Sequence, residues 1–165
     1  LSESFTVGLS HSFSPKLQIN IDANQTSIDA SPSSGGIAAT PESTYRYFST
    51  TLVASSLIKE GDVSIIALRL SDSESAKITS LNLDSRFPLT RSWRINPRLR
   101  VDQRKINSDF STEWVYTPGI RILFRKSQKY RIDLEAGKRF SQRDSAIVDF
   151  DRESYFFNLG YQVFF

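Results

Sequence analysis

Residues 155–165 read Tyr-Phe-Phe-Asn-Leu-Gly-Tyr-Gln-Val-Phe-Phe, and every second residue of this segment is apolar or aromatic. The apolar set occupies the odd positions from Tyr155 to Phe165, while the even positions are mostly Asn, Gly and Gln, with Phe156 and Phe164 as exceptions. A period of two predicts an extended strand with one apolar and one polar face. The length of the segment suits a tilted strand that crosses a lipid bilayer.

The same alternation recurs through the rest of the chain and predicts nine strands in all. In the first strand Phe5, Val7 and Leu9 share one face. Pro97 and Pro118 fall inside the sixth and seventh predicted strands, where a proline removes a hydrogen-bond donor from the ladder. We therefore expect an all-β, antiparallel fold with bulges at these two prolines.

The composition excludes several classes of protein. Hydrophobic residues make up 39% of the 165, the mean hydropathy is −0.32, and no apolar run approaches the roughly 18 residues of a spanning helix. The chain has no cysteine, so disulfides and thiolate metal sites are excluded. A net charge of +3 is too small to indicate a nucleic-acid partner. Neither a metal-binding nor a phosphate-loop motif is present, and we expect no cofactor.

The connections between the predicted strands alternate in length. Short turns are expected at 14–15, 59–62, 90–92 and 126–128, and the third strand is expected to cover about 44–58. Longer polar connections are expected between these turns, at about 25–43, 71–77, 103–110 and 141–153. Short turns on one side and long loops on the other are typical of outer-membrane barrels.

Aromatic residues mark both ends of the later strands. Ten residues of a strand tilted by 40–45° cover about 25 Å of depth, close to the height of the apolar band between two aromatic girdles. A soluble β-sandwich with aromatic residues in its core is the alternative. The aromatic pairs spaced by ten positions are Trp114/Phe124, Tyr130/Phe140 and Tyr155/Phe165.

Asn158, Gly160, Val163 and Phe165 resemble the terminal-strand signal of Gram-negative outer-membrane β-barrels. In those proteins a polar residue, a glycine and two hydrophobic residues, the last usually Phe, are read by the barrel assembly machinery. The resemblance implies an antiparallel transmembrane β-barrel in contact with outer-membrane lipid, with its C-terminus in the periplasm. Such barrels normally have an even number of strands. We therefore expect at least one upstream strand and interpret 1–165 as the C-terminal portion of a larger barrel of roughly 10 to 18 strands.

The stretch 91–102 and the sequence that follows are similar to barrels that come after tetratricopeptide-type helical repeats, as in several exopolysaccharide exporters and secretion-associated proteins. This second resemblance is less specific than the terminal strand. It implies a periplasmic scaffold upstream and the passage of a polymer or a protein through the pore. No catalytic residue is carried over.

Strands six to eight carry many arginines at the positions that alternate with the apolar face. Placing them toward lipid would cost roughly 2–4 kcal/mol each near the midplane, so we expect them to face the lumen. The same face carries the acids Asp102, Glu113, Asp133 and Glu135, which leaves an excess of four positive charges. The predicted lumen and substrate-binding residues are Arg94, Arg98, Arg100, Arg104, Arg121, Arg125, Arg131 and Arg139.

Two interpretations of this arginine set stay open. In one, the arginines pair with the acids and fill a closed lumen. In the other, they form a basic wall that attracts an anionic solute or polymer. The predicted function is therefore the pore-forming part of a transport or export protein. The alternative is a structural barrel that anchors a periplasmic domain or displays loops. An enzyme is not expected, because His11 and its neighbour Ser12 face opposite sides of a strand.

Overall fold

Nine β-strands form the regular structure of this protein. The computed structural model describes residues 2–33, 39, 41–126, 129–144 and 150–164. Over these residues no helix is present, which confirms the all-β prediction; equally, this part of the chain contains no helix of the length and apolarity needed to span a membrane. The strands are β1 (Ser2–Ser14), β2 (Leu17–Ile28), β3 (Ser43–Ser55), β4 (Val63–Asp72), β5 (Ala76–Pro88), β6 (Trp93–Ile106), β7 (Thr112–Lys126), β8 (Tyr130–Asp144) and β9 (Phe150–Val163).

All nine strands belong to one sheet, in which each strand pairs antiparallel with the next one along the chain. Within the described strands β1 and β9 have one neighbour each, so the sheet is open rather than closed into a barrel. Because the strands alternate in direction and their number is odd, β1 and β9 run the same way. Their free edges therefore cannot pair with each other antiparallel.

Two connections differ from the predicted pattern of lengths. The β3–β4 connection covers 56–62, which is longer than expected, and the β4–β5 connection covers only 73–75. The polar residues Asp72 and Lys77 looked like loop, but they are the last register pair of β4 and β5 and form an ion pair of 3.1 Å. Parts of the predicted connections 25–43, 126–128 and 141–153 lie outside the described residues.

The β3–β4 turn is organised by one buried carboxylate. Asp62 is 1% exposed and accepts the backbone N–H groups of Leu57, Ile58 and Lys59 at 3.0, 2.9 and 3.0 Å. These hydrogen bonds, led by the one from Lys59, hold the pKa of Asp62 below the ordinary aspartate value. Gly61 has a φ of 80°, a conformation that favours glycine. The chain therefore leaves the ladder at residue 56, earlier than the sequence pattern predicted.

The two prolines interrupt pairing without inserting a residue, so the predicted bulges are wrong. The β5–β6 ladder lacks the pairs next to Pro97, and the β7–β8 ladder lacks those next to Pro118. On both sides of each gap the register is unchanged. The missing proline donor therefore costs local hydrogen bonds but does not shift the strands. A register shift does occur between Ser12 and Ser14 in β1.

Burial on the two faces of the sheet is inverted relative to a soluble protein. On the apolar face large side chains are exposed, with Leu9 at 63% and Leu159 at 65%. On the polar face Asp102 and Asn96 are each 3% exposed. No second layer covers the apolar face among the described residues. The hydrophobic residues that are buried in this part of the chain are Ala54, Ala67 and Val115.

Aromatic side chains of the apolar face lie at both ends of the strands. Beside the short turns, the rings of Trp93 and Phe124 are register partners with centroids 4.6 Å apart. Toward the opposite end, the rings of Trp114 and Tyr116 stack at 6.1 Å. Phe165, the second member of the predicted aromatic pair Tyr155/Phe165, lies outside the described residues.

Candidate functional site

The strand register brings the predicted arginines together on the polar face. Arg98 pairs in register with Gly119, Arg121 with Glu135, and Arg125 with Arg131. Since side chains of register partners lie on the same side of a sheet, the rows from β5 to β8 form one continuous charged surface. By the same alternation, all eight predicted arginines lie on this face.

An ion-pair network crosses the middle of the charged surface. Arg98 lies 2.8 Å from Asp84 on β5 and 3.0 Å from Glu135 on β8. The contact with Glu135 spans β7, where the register partner of Arg98 is Gly119. Because Gly119 has no side chain, the guanidinium passes over β7 without obstruction. Asp84 lies on β5, outside the three strands that carry the four predicted acids.

Two further acids of the predicted set bind arginines near this network. Arg121 donates two hydrogen bonds to Asp133, one of them from Nε at 2.6 Å. Arg131 lies 3.6 Å from the same carboxylate. Arg100 lies 2.8 Å from Asp102.

Serine hydroxyl groups donate hydrogen bonds to two of the predicted acids. Ser80 donates to Asp102 at 2.6 Å, and Ser141 donates to Glu113 at 2.6 Å. Glu113 lies 3.9 Å from Arg104. These serines were not predicted as site residues, although their inward parity and small size could have identified them. Five of the eight arginines are therefore in ion pairs: Arg98, Arg100, Arg104, Arg121 and Arg131.

The other three predicted arginines are different. Arg94, Arg125 and Arg139 form no ion pair and no side-chain hydrogen bond with any residue that the structure describes. The predicted excess of positive charge is therefore concentrated at particular positions. Arg94 and Arg125 lie at the end of the face beside the short turns, whereas Arg139 lies toward the opposite end.

A cleft of about 530 Å³ opens at the short-turn end of the polar face. We call it the basic cleft because four arginines line it: Arg91, Arg94, Arg125 and Arg131. Its other walls come from the β5–β6 turn and from neighbouring strand ends. They are Pro88, Thr90, Ser92, Trp93, Leu123 and Phe164.

Phe156, an exception to the alternation of β9, lies on the polar face against two glycines. A Cβ added to Gly137 would lie 2.6 Å from Phe156 Cε1 and 2.7 Å from the backbone oxygen of Pro118. A Cβ added to Gly119 would lie 3.5 Å from the same ring. Glycine at 137 therefore lets an aromatic ring of β9 lie flat on β8, a contact that the period-two pattern could not predict.

The residues of the predicted assembly signal lie on both faces of β9. Asn158 and Gly160 pair in register with Glu135 and Asp133 of the charged surface. Val163 pairs with Tyr130 on the apolar face. Phe165 lies outside the described residues, so the signal as a whole stays a prediction.

His11 lies on the apolar face, with its ring 4.7 Å from that of Phe13. Its neighbour Ser12 points to the polar face, so the two do not form a nucleophile–base pair. Across the described ranges no group of three or more His, Asp or Glu residues could hold a metal ion. Comparison of the chain with protein-family models, curated proteins and solved structures found no match.

Proposed function

We propose that this chain is part of an outer-membrane β-barrel pore that favours the passage of an anionic solute or polymer. The observation that carries the proposal is the inverted burial of the sheet, with apolar side chains exposed on one face and polar side chains buried on the other. In a membrane, lipid would cover the apolar face, and the backbone would satisfy its hydrogen bonds between strands. The outward aromatic residues at both strand ends suit the two interfaces of a bilayer.

Closure of the proposed barrel requires strands beyond β1 and β9. Because these two edge strands run in the same direction, an odd number of additional strands would close the sheet with antiparallel pairs throughout. This supports the proposal that further strands complete the barrel, of which we propose that this chain is the C-terminal portion with at least one strand upstream. The upstream periplasmic scaffold and the periplasmic C-terminus belong to the same proposal.

Preference for anions would come from the unpaired arginines. Paired charges largely cancel at a distance, so the sign of the field in the proposed lumen depends on the charges that have no ion pair among the described residues. On the polar face Arg94, Arg125 and Arg139, together with Arg69 and Arg152, outnumber Asp22. A narrow polar channel lined by charge of one sign raises the local concentration of ions of opposite sign. The guanidinium group also offers a planar fork for phosphate or carboxylate groups.

Conductance of the full-length protein in planar bilayers tests this proposal. Residues 138 and 139 provide a matched pair, because Lys138 lies on the apolar face near Phe140 and Tyr155, and Arg139 lies on the polar face. We expect an anion-selective current, with the reversal potential in a salt gradient shifted toward cations by Arg139→Gln. Lys138→Gln removes the same charge outside the proposed lumen, from a side chain that pairs with Glu153, and should leave the selectivity unchanged. Absence of current in the wild-type protein would contradict an open pore.

A structural barrel that displays loops is the second candidate, and the β6–β7 connection favours it. Asn107 Nδ2 donates to the backbone oxygen of Glu74 at 2.8 Å, and Asp109 pairs with Arg143. Ser111, whose hydroxyl donates to Asp109, is the main cause of a lowered pKa at that carboxyl group. These contacts hold the connection in place, and Phe110 within it is 92% exposed. A protein without conductance that loses binding to a surface partner on Phe110→Ser would match this candidate.

A further inference from the structure

The arginines of the basic cleft lie close together although their positive charges repel one another. Arg125 and Arg131 are direct register partners across β7 and β8. Arg94 is the register partner of Leu123, which precedes Arg125 by two residues on the same face. Like charges directly opposite each other destabilise a strand pair. A third positive charge diagonal to that pair adds to the cost, which an anion between the guanidinium groups would offset.

In the charged surface next to the cleft, carboxylate groups offset the repulsion between arginines. There each arginine of the network has a carboxylate within 4.0 Å, as Arg98 has in Asp84 and Glu135. No acidic residue belongs to the described lining of the cleft. Arg131 reaches Asp133 only at 3.6 Å, and Arg121 already holds that carboxylate with two hydrogen bonds. The cleft therefore keeps its positive charge, whereas the adjoining network is neutralised.

Size and hydrogen-bond donors also suit an anionic ligand. A volume of about 530 Å³ lies within the usual range of small-molecule sites, roughly 300–1,000 Å³. Thr90 Oγ1 accepts the backbone N–H groups of Ser92 and Trp93 at 3.2 and 3.1 Å, which orients it in the turn. Its hydroxyl hydrogen and that of Ser92 can donate into the cleft. Leu123 and Phe164 also line the cleft and add apolar surface to it.

We propose that the basic cleft is a binding site for an oxyanion group, phosphoryl or carboxylate, on a small solute or on one unit of a polymer. Arg94 and Arg125 would hold the group through bidentate hydrogen bonds, with Arg91 and Arg131 completing its charge. The role of this site in transport rests on the proposed function, but binding itself does not. The cleft lies at one end of the polar face, where cargo would enter or leave the proposed lumen.

Calorimetric titration of the purified full-length protein in detergent tests the site. The probes are inorganic pyrophosphate and citrate, which separate a phosphoryl from a carboxylate preference. We expect saturable binding of at least one probe, weakened at least tenfold by Arg94→Ser combined with Arg125→Ser. The matched control is Arg69→Ser combined with Arg152→Ser, which removes the same charge from the polar face outside the cleft. The control should bind within twofold of wild type.

Two results would overturn the site: no saturable binding by the wild-type protein, or equal weakening by both double variants, which would mean diffuse attraction alone. Should the serine variant fold poorly, Arg94→Lys with Arg125→Lys keeps the charge but removes the guanidinium fork. It should weaken binding severalfold, and unchanged affinity would contradict bidentate recognition. Binding without conductance would retain the site and reject the pore. Anion-selective current without saturable binding would retain the pore and reject the site.

Discussion

The polar side chains of β1–β3 and those of β5–β8 find their hydrogen-bond and ion-pair partners in different ways. On β1 and β2 the contacts are between neutral amides and hydroxyls. Asn24 Nδ2 donates to Thr6 Oγ1 at 2.7 Å, and Ser10 Oγ donates to Asn20 Oδ1 at 2.7 Å. On β5–β8 the contacts are ion pairs between guanidinium and carboxylate groups. Three of these pairs join adjacent strands, and one, between Arg98 and Glu135, passes over β7. We call these regions the neutral half and the charged half.

The difference between the halves shows how one backbone architecture can carry two electrostatic surfaces. In the neutral half short side chains bond to their immediate neighbours, and Asp22, the acidic residue of that ladder, accepts from Ser49 at 3.4 Å. In the charged half the long arginine side chains reach across strands, so their pairing depends on register and on Gly119. Exposed or half-exposed ion pairs add little stability, about 0–1 kcal/mol each. Their main effect here is to cancel the charge of Arg98, Arg100, Arg104 and Arg121, whereas Arg94, Arg125 and Arg139 keep theirs.

The largest expected effect on stability comes from replacing a glycine of the polar face, and each half provides one such glycine. Gly137→Ala in the charged half should destabilise the folded protein by about 3 kcal/mol, the upper part of the usual range for overpacking. The added Cβ would meet the Phe156 ring and the backbone oxygen of Pro118, and the backbone atom cannot move aside cheaply. The measurement is the urea unfolding midpoint of the protein in detergent micelles.

Gly8→Ala in the neutral half is the matched control. Its Cβ would lie 3.1 Å from Asp22 Oδ1, the end of a side chain that can rotate away. We expect a change of less than about 1 kcal/mol, in either direction, because alanine also removes the entropic cost of glycine in a strand. Equal destabilisation by both substitutions would contradict the close contact of Phe156 with Gly137.

The second prediction compares one hydrogen-bonded partner from each half. Asp133→Ala removes the acceptor of both hydrogen bonds from Arg121, and it should cost about 2 kcal/mol, as expected for hydrogen bonds to charged groups. Asn24→Ala removes a neutral amide that contacts Ser4 and Thr6, and it should cost about 1 kcal/mol. Unfolding in urea at low and high salt checks the difference. Salt should reduce the effect of Asp133→Ala and leave that of Asn24→Ala nearly unchanged.

The smallest expected effect is confined to the β3–β4 turn beside the neutral half. Because the pKa of Asp62 is lower when folded than when unfolded, its stabilisation is fully present above the unfolded value, about 3.9, and is lost as the pH falls through the folded pKa. Hydrogen-exchange protection of the Leu57, Ile58 and Lys59 amides, corrected for intrinsic exchange, should therefore fall in acid. In Asp62→Asn protection should be low and nearly independent of pH.

Amides of β1 and β2 serve as the internal control for this experiment, since no contact joins them to Asp62 in the part of the chain described. If protection of the turn in the wild-type protein were constant from pH 2 to 7, the carboxylate would not hold the turn. If β2 amides lost protection in parallel, the effect would be global unfolding rather than opening of the turn.

Much of the fold could be predicted because the signal is local. Phe5, Val7 and Leu9 indicate a strand and its apolar face within a few residues, and a similar alternation indicates the other strands that the structure describes. Connection lengths were harder to predict, because polar residues such as Asp72 and Lys77 can end a strand or extend it. The effect of Pro97 was also missed, since a lost donor can be accommodated by a gap in pairing instead of a bulge.

For this protein the sequence by itself determined the nine strands, their two faces and the inward parity of the arginines, because side-chain direction in a strand depends only on a period of two. The tertiary structure decided which arginines are paired and which are not. Pairing needs the register that places Arg98 over Gly119 and Arg125 opposite Arg131, and register depends on neighbours that are distant in sequence. The same physical reason placed Phe156 on Gly137 and brought the unpaired Arg94 and Arg125 together in the basic cleft.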